Sequence, residues 1–208
     1  MKSKCKTEAQ IEIIRKNNLL VSQTLAEVAK LIKPGVTTEE LDRRAEEYIR
    51  DHGAVPGFKG YMDYPKTLCT SVNDEVVHGI PGNRILKEGD IISVDCGTIM
   101  EGFYGDSAFT FAVGEISDEW KRLVKITRES LEKGVEMAVE GNRIGDIGYA
   151  VQNHAEGAGF AVVREMVGHG IGQALHEAPE VPNYGKRGHG SKLKEGMTLC
   201  IEPMINLG

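Results

Sequence analysis

Asp95 and Asp106 stand eleven residues apart in stretches of strand-forming composition, separated by a glycine-bounded turn from Gly97 to Gly102. A hairpin folded about such a turn can bring two carboxylates together, and close like charges repel unless a cation sits between them. Acidic residues on strands are commonly edge or solvent-facing, a reading that suits Asp106 better than Asp95, which follows Ile91-Ile92-Ser93-Val94 directly. His169 and His176 lie seven apart in a segment punctuated by Gly and Pro, and both could be presented to a ligand on irregular backbone. Gly168-His169-Gly170-Ile171-Gly172 is not a phosphate loop, because the glycine spacing fails at Gln173 and no Gly-Lys-Ser/Thr follows. His176-Glu177 is not the start of a zincin helix, because Glu180 stands where the second His is needed and Pro179 breaks the helix. His78, in Val76-Val77-His78-Gly79-Ile80-Pro81, sits in a tight turn where a lone His is more often a hydrogen-bonded structural residue. Taken as a set, Asp95, Asp106, His169 and Glu202 offer three carboxylates and an imidazole. Such a set suits Mn, Fe(II), Co or Mg, and bridging carboxylates suit a two-metal centre sharing one activated water.

The elements that must position these groups can be read from periodicity. Ile14, Val21, Leu25, Val28 and Ile32 share one face of a helix over residues 8–32, which Lys33-Pro34-Gly35 ends. Thr37-x-x-Glu40 is a capping-box pattern opening a second helix, with Leu41, Ala45 and Tyr48 on one face and Gly53 after its end. A turn-rich region to about residue 90 leads to strands at residues 91–96 and 103–113. From Ser117 the pattern restarts: a helix bearing Trp120, Leu123, Val124 and Leu131, a break at Gly141, a helix near 144–157 and a strand from Phe160. Gly35 and Gly141 are 106 apart, and Leu41, Ala45 and Gly53 then fall on Ile147, Val151 and Gly159. Lys87-Glu88-Gly89 before Asp95 recurs as Lys194-Glu195-Gly196 before Glu202, an offset of 107. The expectation is a single catalytic domain over 1–208 built from two α/β halves, about 8–113 and 117–208, each raising a carboxylate from an equivalent strand.

Composition bounds the partners. A net charge of -6 with a sequence pI near 5.6 disfavours broad binding to nucleic acid or anionic membrane. No apolar run reaches membrane-span length, and the Met1-Lys2-Ser3-Lys4-Cys5-Lys6 start lacks an apolar signal core, so a cytoplasmic protein is expected. Cys5, Cys69, Cys96 and Cys200 form no CxxC pair, which fits thiols in a reducing compartment rather than a zinc knuckle or disulfide framework.

Gly168-His-Gly-Ile-Gly-x-x-x-His176-Glu-x-Pro179-x-Val181, with Lys33-Pro-Gly35, Tyr64-Pro-Lys66, Ser71-Val-Asn73 and Val77-His78-Gly-Ile-Pro81, resembles bacterial type I methionine aminopeptidase along the whole chain. The resemblance implies the pita-bread fold, a pseudo-twofold α/β arrangement with antiparallel sheet covered by helices. It implies removal of the initiator Met from nascent polypeptides through water activated by two divalent ions such as Mn, Fe(II) or Co. It places metal ligands at Asp95, Asp106, His169 and Glu202, with Glu202 also near the proton transfer. His78 and His176 match histidines that contact the substrate backbone and stabilise the tetrahedral intermediate. Phe58, Tyr61, Tyr64, Cys69 and Leu175 match positions lining the methionine pocket, although relatives carry Cys at the Phe58 position and Phe at the Leu175 position. It further implies a monomer, with contact to the ribosome open.

The repeat calls for one more strand beyond Glu202 and the resemblance implies a bridging glutamate on it; a chain lacking it is expected to hold its second metal weakly. Two alternatives stand beside this reading. An Xaa-Pro aminopeptidase or prolidase shares the fold and ligand types, usually with a large N-terminal domain, whereas here the first helix follows Met1 almost at once. A pita-bread binding protein without catalysis would be expected to have lost the ligands themselves.

Overall fold

The computed structural model describes residues 5–207. Residues 12–117 gather into one compact unit, and the described residues before and after that span gather into another.

The first unit is led by helix α1 (Glu8–Ala29), which buries Ile14, Leu20, Val21, Leu25 and Val28 at helical spacing. It stops three residues short of the periodicity, which carries on to Ile32. The Leu31 and Ile32 amides donate to the Val28 and Ala29 carbonyls at 2.9 and 3.2 Å, a tightened last turn that leaves Ile32 packed on the core without being helical. Helix α2 (Thr38–Asp51) opens as its sequence predicts. The Glu40 amide donates to Thr37 Oγ1 at 3.2 Å and the Thr37 amide to Glu40 Oε2 at 2.8 Å. Strands β1 (Val55–Pro56), β2 (Leu68–Val72), β3 (Ile91–Met100) and β4 (Phe103–Ala112) form one antiparallel sheet. β3 is its centre, with β4 along one edge and β1 and β2 at different heights along the other. Leu41, Ala45 and Ile49 of α2 join Val21, Leu25 and Val28 of α1 over Leu68, Val72, Ile92 and Val94 in a continuous apolar core.

Two expectations need correction here. The region read as turn-rich contains β2, whose five residues are all buried and so show no alternation. The turn between β3 and β4 is not Gly97–Gly102 but Glu101 and Gly102 alone, both left-handed at φ 50° and 78°, the two-residue form that matches strand twist.

In the second unit, α3 (Asp118–Glu136) and α4 (Ile144–Gly157) are followed by short strands: β5 (Ala161–Val162), β6 (Gly168–Gly170), β7 (Glu177–Val181), β8 (Leu199–Cys200) and β9 (Ile205–Asn206). β5 pairs with β9, and β6 lies between β7 and β8, all antiparallel. The start of α4 is held by Asp146, which accepts the Arg143 amide at 2.7 Å and the Gly188 amide at 2.8 Å. Those two amides, Gly188 first, keep its carboxyl below the usual range. Ile144, Ile147, Val181 and Leu193 form a core here. The glycines of the repeat share a backbone state: Gly35 and Gly141 have φ 93° and 96°, Gly53 and Gly159 75° and 85°, Gly89 and Gly196 88° and 82°. Among the described residues no helix is long and apolar enough to cross a membrane.

Candidate metal centre

The β3–β4 register decides how Asp95 and Asp106 meet. Asp95 pairs with Ala108 and Gly97 with Asp106. Paired residues share a face and faces alternate along a strand, so both carboxylates project from the same side as diagonal neighbours, roughly 7–8 Å apart at the backbone and within side-chain reach. Helix α1 fixes the hairpin from behind. Asn17, fully buried, donates to the Thr98 and Phe103 carbonyls at 3.1 and 2.8 Å and accepts from Thr98 Oγ1 at 2.5 Å. Asn18 Oδ1 accepts the Asp106 amide itself at 3.1 Å.

The same face carries Cys69 and the Phe58 ring, both singled out in the sequence. Cys69 of β2 pairs with Asp95, and a Cβ at Gly97 would lie 2.3 Å from the Phe58 ring, which places that ring over the strand beside the carboxylates. Burial, with the nearby charges of Asp95 and Asp106, pushes the Cys69 thiol up to about 12 despite its bond with Tyr64. Tyr64 donates to the Leu68 carbonyl at 2.8 Å, and burial likewise raises its phenol. Tyr61 is half-buried in a 3₁₀ turn, Tyr61–Asp63. His78 is exposed, with φ 62°, and the chain after it lies flush on β2: the Thr70 amide donates to the Gly79 carbonyl at 2.7 Å and the Gly79 amide to Ser71 Oγ at 3.1 Å. That contact leaves no room for a side chain at position 79, where a Cβ would meet the Thr70 oxygen at 2.2 Å.

His169 sits in the middle strand β6, at a point where the pairing with β7 is irregular: the register shifts between His169 and Gly170. The glycines are there for closeness. A Cβ at Gly168 would lie 2.3 Å from the Cys200 carbonyl oxygen, and one at Gly170 2.5 Å from that of Ala178. His169 is 7% exposed, and its Nδ1 is 3.0 Å from the Gly170 carbonyl oxygen. A carbonyl can only accept, so Nδ1 carries the proton. Nε2 then faces Glu202 Oε1 at 3.2 Å. Exposed His176, in the turn after buried Leu175, sets its ring edge-on to that of His169 with centroids 4.3 Å apart.

A nitrogen lone pair and a carboxylate oxygen repel at that separation unless a proton or a cation lies between them. The donor set favours a cation. The ligand atoms of His169, Cys200 and Glu202 all lie within 4.8 Å of one another, and metal bonds of about 2.0–2.3 Å to N, O and S put two ligands of one ion roughly 3–4.5 Å apart. A backbone carbonyl on the far imidazole nitrogen is also what a ligating His typically has.

The sequence profile of Metallopeptidase family M24 matches residues 12–208. This chain belongs to metallopeptidase family M24. Over 204 residues, 98% of this M24 chain and 82% of the relative, it is 54% identical to a methionine aminopeptidase of Clostridium acetobutylicum. It superposes on the crystal structure of methionine aminopeptidase from Rickettsia prowazekii with a TM-score of 0.98 at 41% identity, covering all of this chain and 84% of that one. Prolidase from Pyrococcus furiosus, at 24% identity and a TM-score of 0.84 over 96% of this chain and 57% of its own, shares the fold. The M24 chain thus has the pita-bread fold, and its family and donor set mark it as dependent on divalent metal. Sequence reading missed one candidate donor, Cys200. Its signal was present: it stands two residues before Glu202, the spacing that returns to the same face of an extended segment.

Proposed function

We propose that this chain is a metal-dependent methionyl aminopeptidase that removes the initiator Met from nascent polypeptides, acting in the cytoplasm as a monomer with two ions of the Mn, Fe(II) or Co type. The observation that carries the reading is His169, with its Nδ1 proton committed to the Gly170 carbonyl and its Nε2 turned on the Glu202 carboxylate at 3.2 Å, in a chain of family M24. The relatives' names supply the substrate.

Divalent ions bound by Asp95, Asp106, His169 and Glu202 would supply Lewis acidity and an acidified water. Glu202 would take up a proton from the attacking water and hand it to the leaving amine. His78 and His176, both exposed, the first next to the Gly79 that bonds β2 and the second just ahead of β7, donate to the substrate backbone and to the developing oxyanion. Phe58, Tyr61, Tyr64, Cys69 and Leu175 provide a largely apolar surface for a thioether side chain. The phenol of Tyr64 and the thiol of Cys69, both kept protonated by burial, add no charge to it.

The test is cleavage of Met-Gly-Met-Met by the chelator-treated chain with Mn(II), Co(II) or Fe(II) restored, beside Met-Ala and Ala-Pro peptides. Release of Met that depends on added metal supports the reading. Turnover of Ala-Pro peptides in preference to Met-Ala would replace it with an Xaa-Pro specificity. His176→Ala is expected to lower kcat by about 10²–10³, the effect of removing one oxyanion donor.

A further inference from the structure

Cys200 is a half-buried thiol on β8, and the antiparallel register pairs it with His169 of β6. Cross-strand partners project from one face, and two residues on along an extended segment the face recurs at Glu202. The sulfur is accordingly placed within 4.8 Å of both the His169 and the Glu202 ligand atoms. The group is fixed as well as close. β6 is held on its other side by β7, and a Cβ at Gly168 would collide with the Cys200 carbonyl, so the two strands approach as nearly as backbones can. A small apolar residue would fill the same space without placing a donor there.

From this we propose that Cys200 is a metal-positioning ligand of the site, a sulfur donor beside the imidazole and carboxylates assigned above. The proposal rests on the reading of that site as a divalent-metal centre. As the sulfur–metal bond forms, the thiol proton leaves to solvent, since the thiolate is the ligand. The consequence is selectivity. Carboxylates and water suit Mg and Mn, whereas thiolate draws Zn, Co(II) and Fe(II). A centre with Cys200 in its sphere prefers the softer ions over Mn(II), and replacing the sulfur by oxygen reverses part of that preference.

The experiment is titration of the full chain with Co(II), followed by absorption. Visible ligand-field bands report that cobalt is bound; an intense near-ultraviolet sulfur-to-cobalt charge-transfer band reports that sulfur binds it. Both bands are expected in the wild type and only the visible ones in Cys200→Ser and Cys200→Ala, with circular dichroism confirming that the variants fold. In competition, Cys200→Ser is expected to lose about 10-fold or more in preference for Zn(II) over Mn(II). Visible bands without the charge-transfer band in the wild type would overturn the sulfur assignment while leaving the metal centre standing, and this arm decides even if no variant folds. Persistence of the charge-transfer band in Cys200→Ala would overturn it in favour of another thiol. The absence of both bands would overturn it together with the metal centre.

Discussion

Gly97 meets Phe58 with no room for a methyl group. A Cβ there would approach three ring atoms at 2.3, 2.7 and 3.0 Å, all in the aromatic part of a side chain that is 7% exposed. Gly97→Ala is therefore expected to destabilise the chain by about 1–3 kcal/mol through overpacking. Phe58→Leu removes the colliding ring atoms, so the double variant is expected to recover roughly 1 kcal/mol or more relative to the sum of the single ones. Urea midpoints of the four chains measure this, and strict additivity would show that the ring is not what excludes a side chain. The same contact explains why this part of the site was half legible. Asp95 and Asp106 could be read as a carboxylate pair from type and spacing, but Gly97 read as punctuation because glycine usually is. Here it is a strand residue pressed by a ring that belongs to a distant part of the sequence. For His169 the irregularity was legible and the strand was not: its two glycines answer to carbonyls of Cys200 and Ala178, neighbours that local pattern does not reveal.

At the scale of elements, single carboxylates hold strand and helix ends. Asp42, 4% exposed on α2, takes both the Thr67 amide at 2.9 Å and the Leu68 amide at 2.8 Å on one oxygen, and so fixes where β2 begins. Burial raises its carboxyl even against those two bonds. Asp42→Asn keeps an acceptor without the buried charge and is expected to stay within about 1 kcal/mol of the wild type. Asp42→Ala strands two buried amides at about 1–3 kcal/mol each. Equal losses in the two variants would show that the charge, not the acceptor, matters. Nothing in Leu68–Val72 alternates, so β2 could not be seen in the sequence, whereas the capping box of α2 is a local arrangement and was.

Lys6 and Glu177 form a second such tie, at 2.6 Å with side chains 7% and 13% exposed, between the chain just ahead of α1 and the start of β7. Burial alone would raise the Glu177 carboxyl; the Lys6 bond and the Ala174 amide outweigh it and hold it below the usual carboxylate range. A carboxyl depressed in the folded state contributes stability above its unfolded value and loses it as pH falls through the folded one. Lys6→Met is expected to cost roughly 3 kcal/mol at neutral pH, as removing one partner of a buried pair does. The gap from the wild type should be largest at neutral pH and shrink as pH falls, first as the unpaired Glu177 of the variant, raised by burial, takes up its proton and then as that of the wild type does. A gap independent of pH down to acid unfolding would assign the loss to packing instead of charge.

At the scale of the whole molecule, what the sequence disclosed was repetition. Offsets of 106 and 107 residues join glycines that share a left-handed backbone, because such glycines are demanded by how helices and strands end and so leave a trace in composition. Sheet pairing left no comparable trace, and the partnership of β6 with β8 had to be seen. That partnership carries the prediction for the molecule as a unit. An ion held by native His169 and Glu202 has no equivalent site in the unfolded chain, so binding must stabilise folding. At free metal about 100 times Kd the gain is about 2.7 kcal/mol, and at roughly 2–4 °C per kcal/mol for a chain of this size Tm should rise by roughly 5–11 °C. Chelator should reverse the rise, and His169→Ala should abolish most of it, the shift being read against that variant's own metal-free Tm. If Cys200 also ligates, Cys200→Ala should reduce the shift more with Zn(II) or Co(II) than with Mn(II), since only the softer ions lose a preferred donor. A Tm indifferent to all three ions would remove the metal from the account, and equal reductions across the three would remove the sulfur alone.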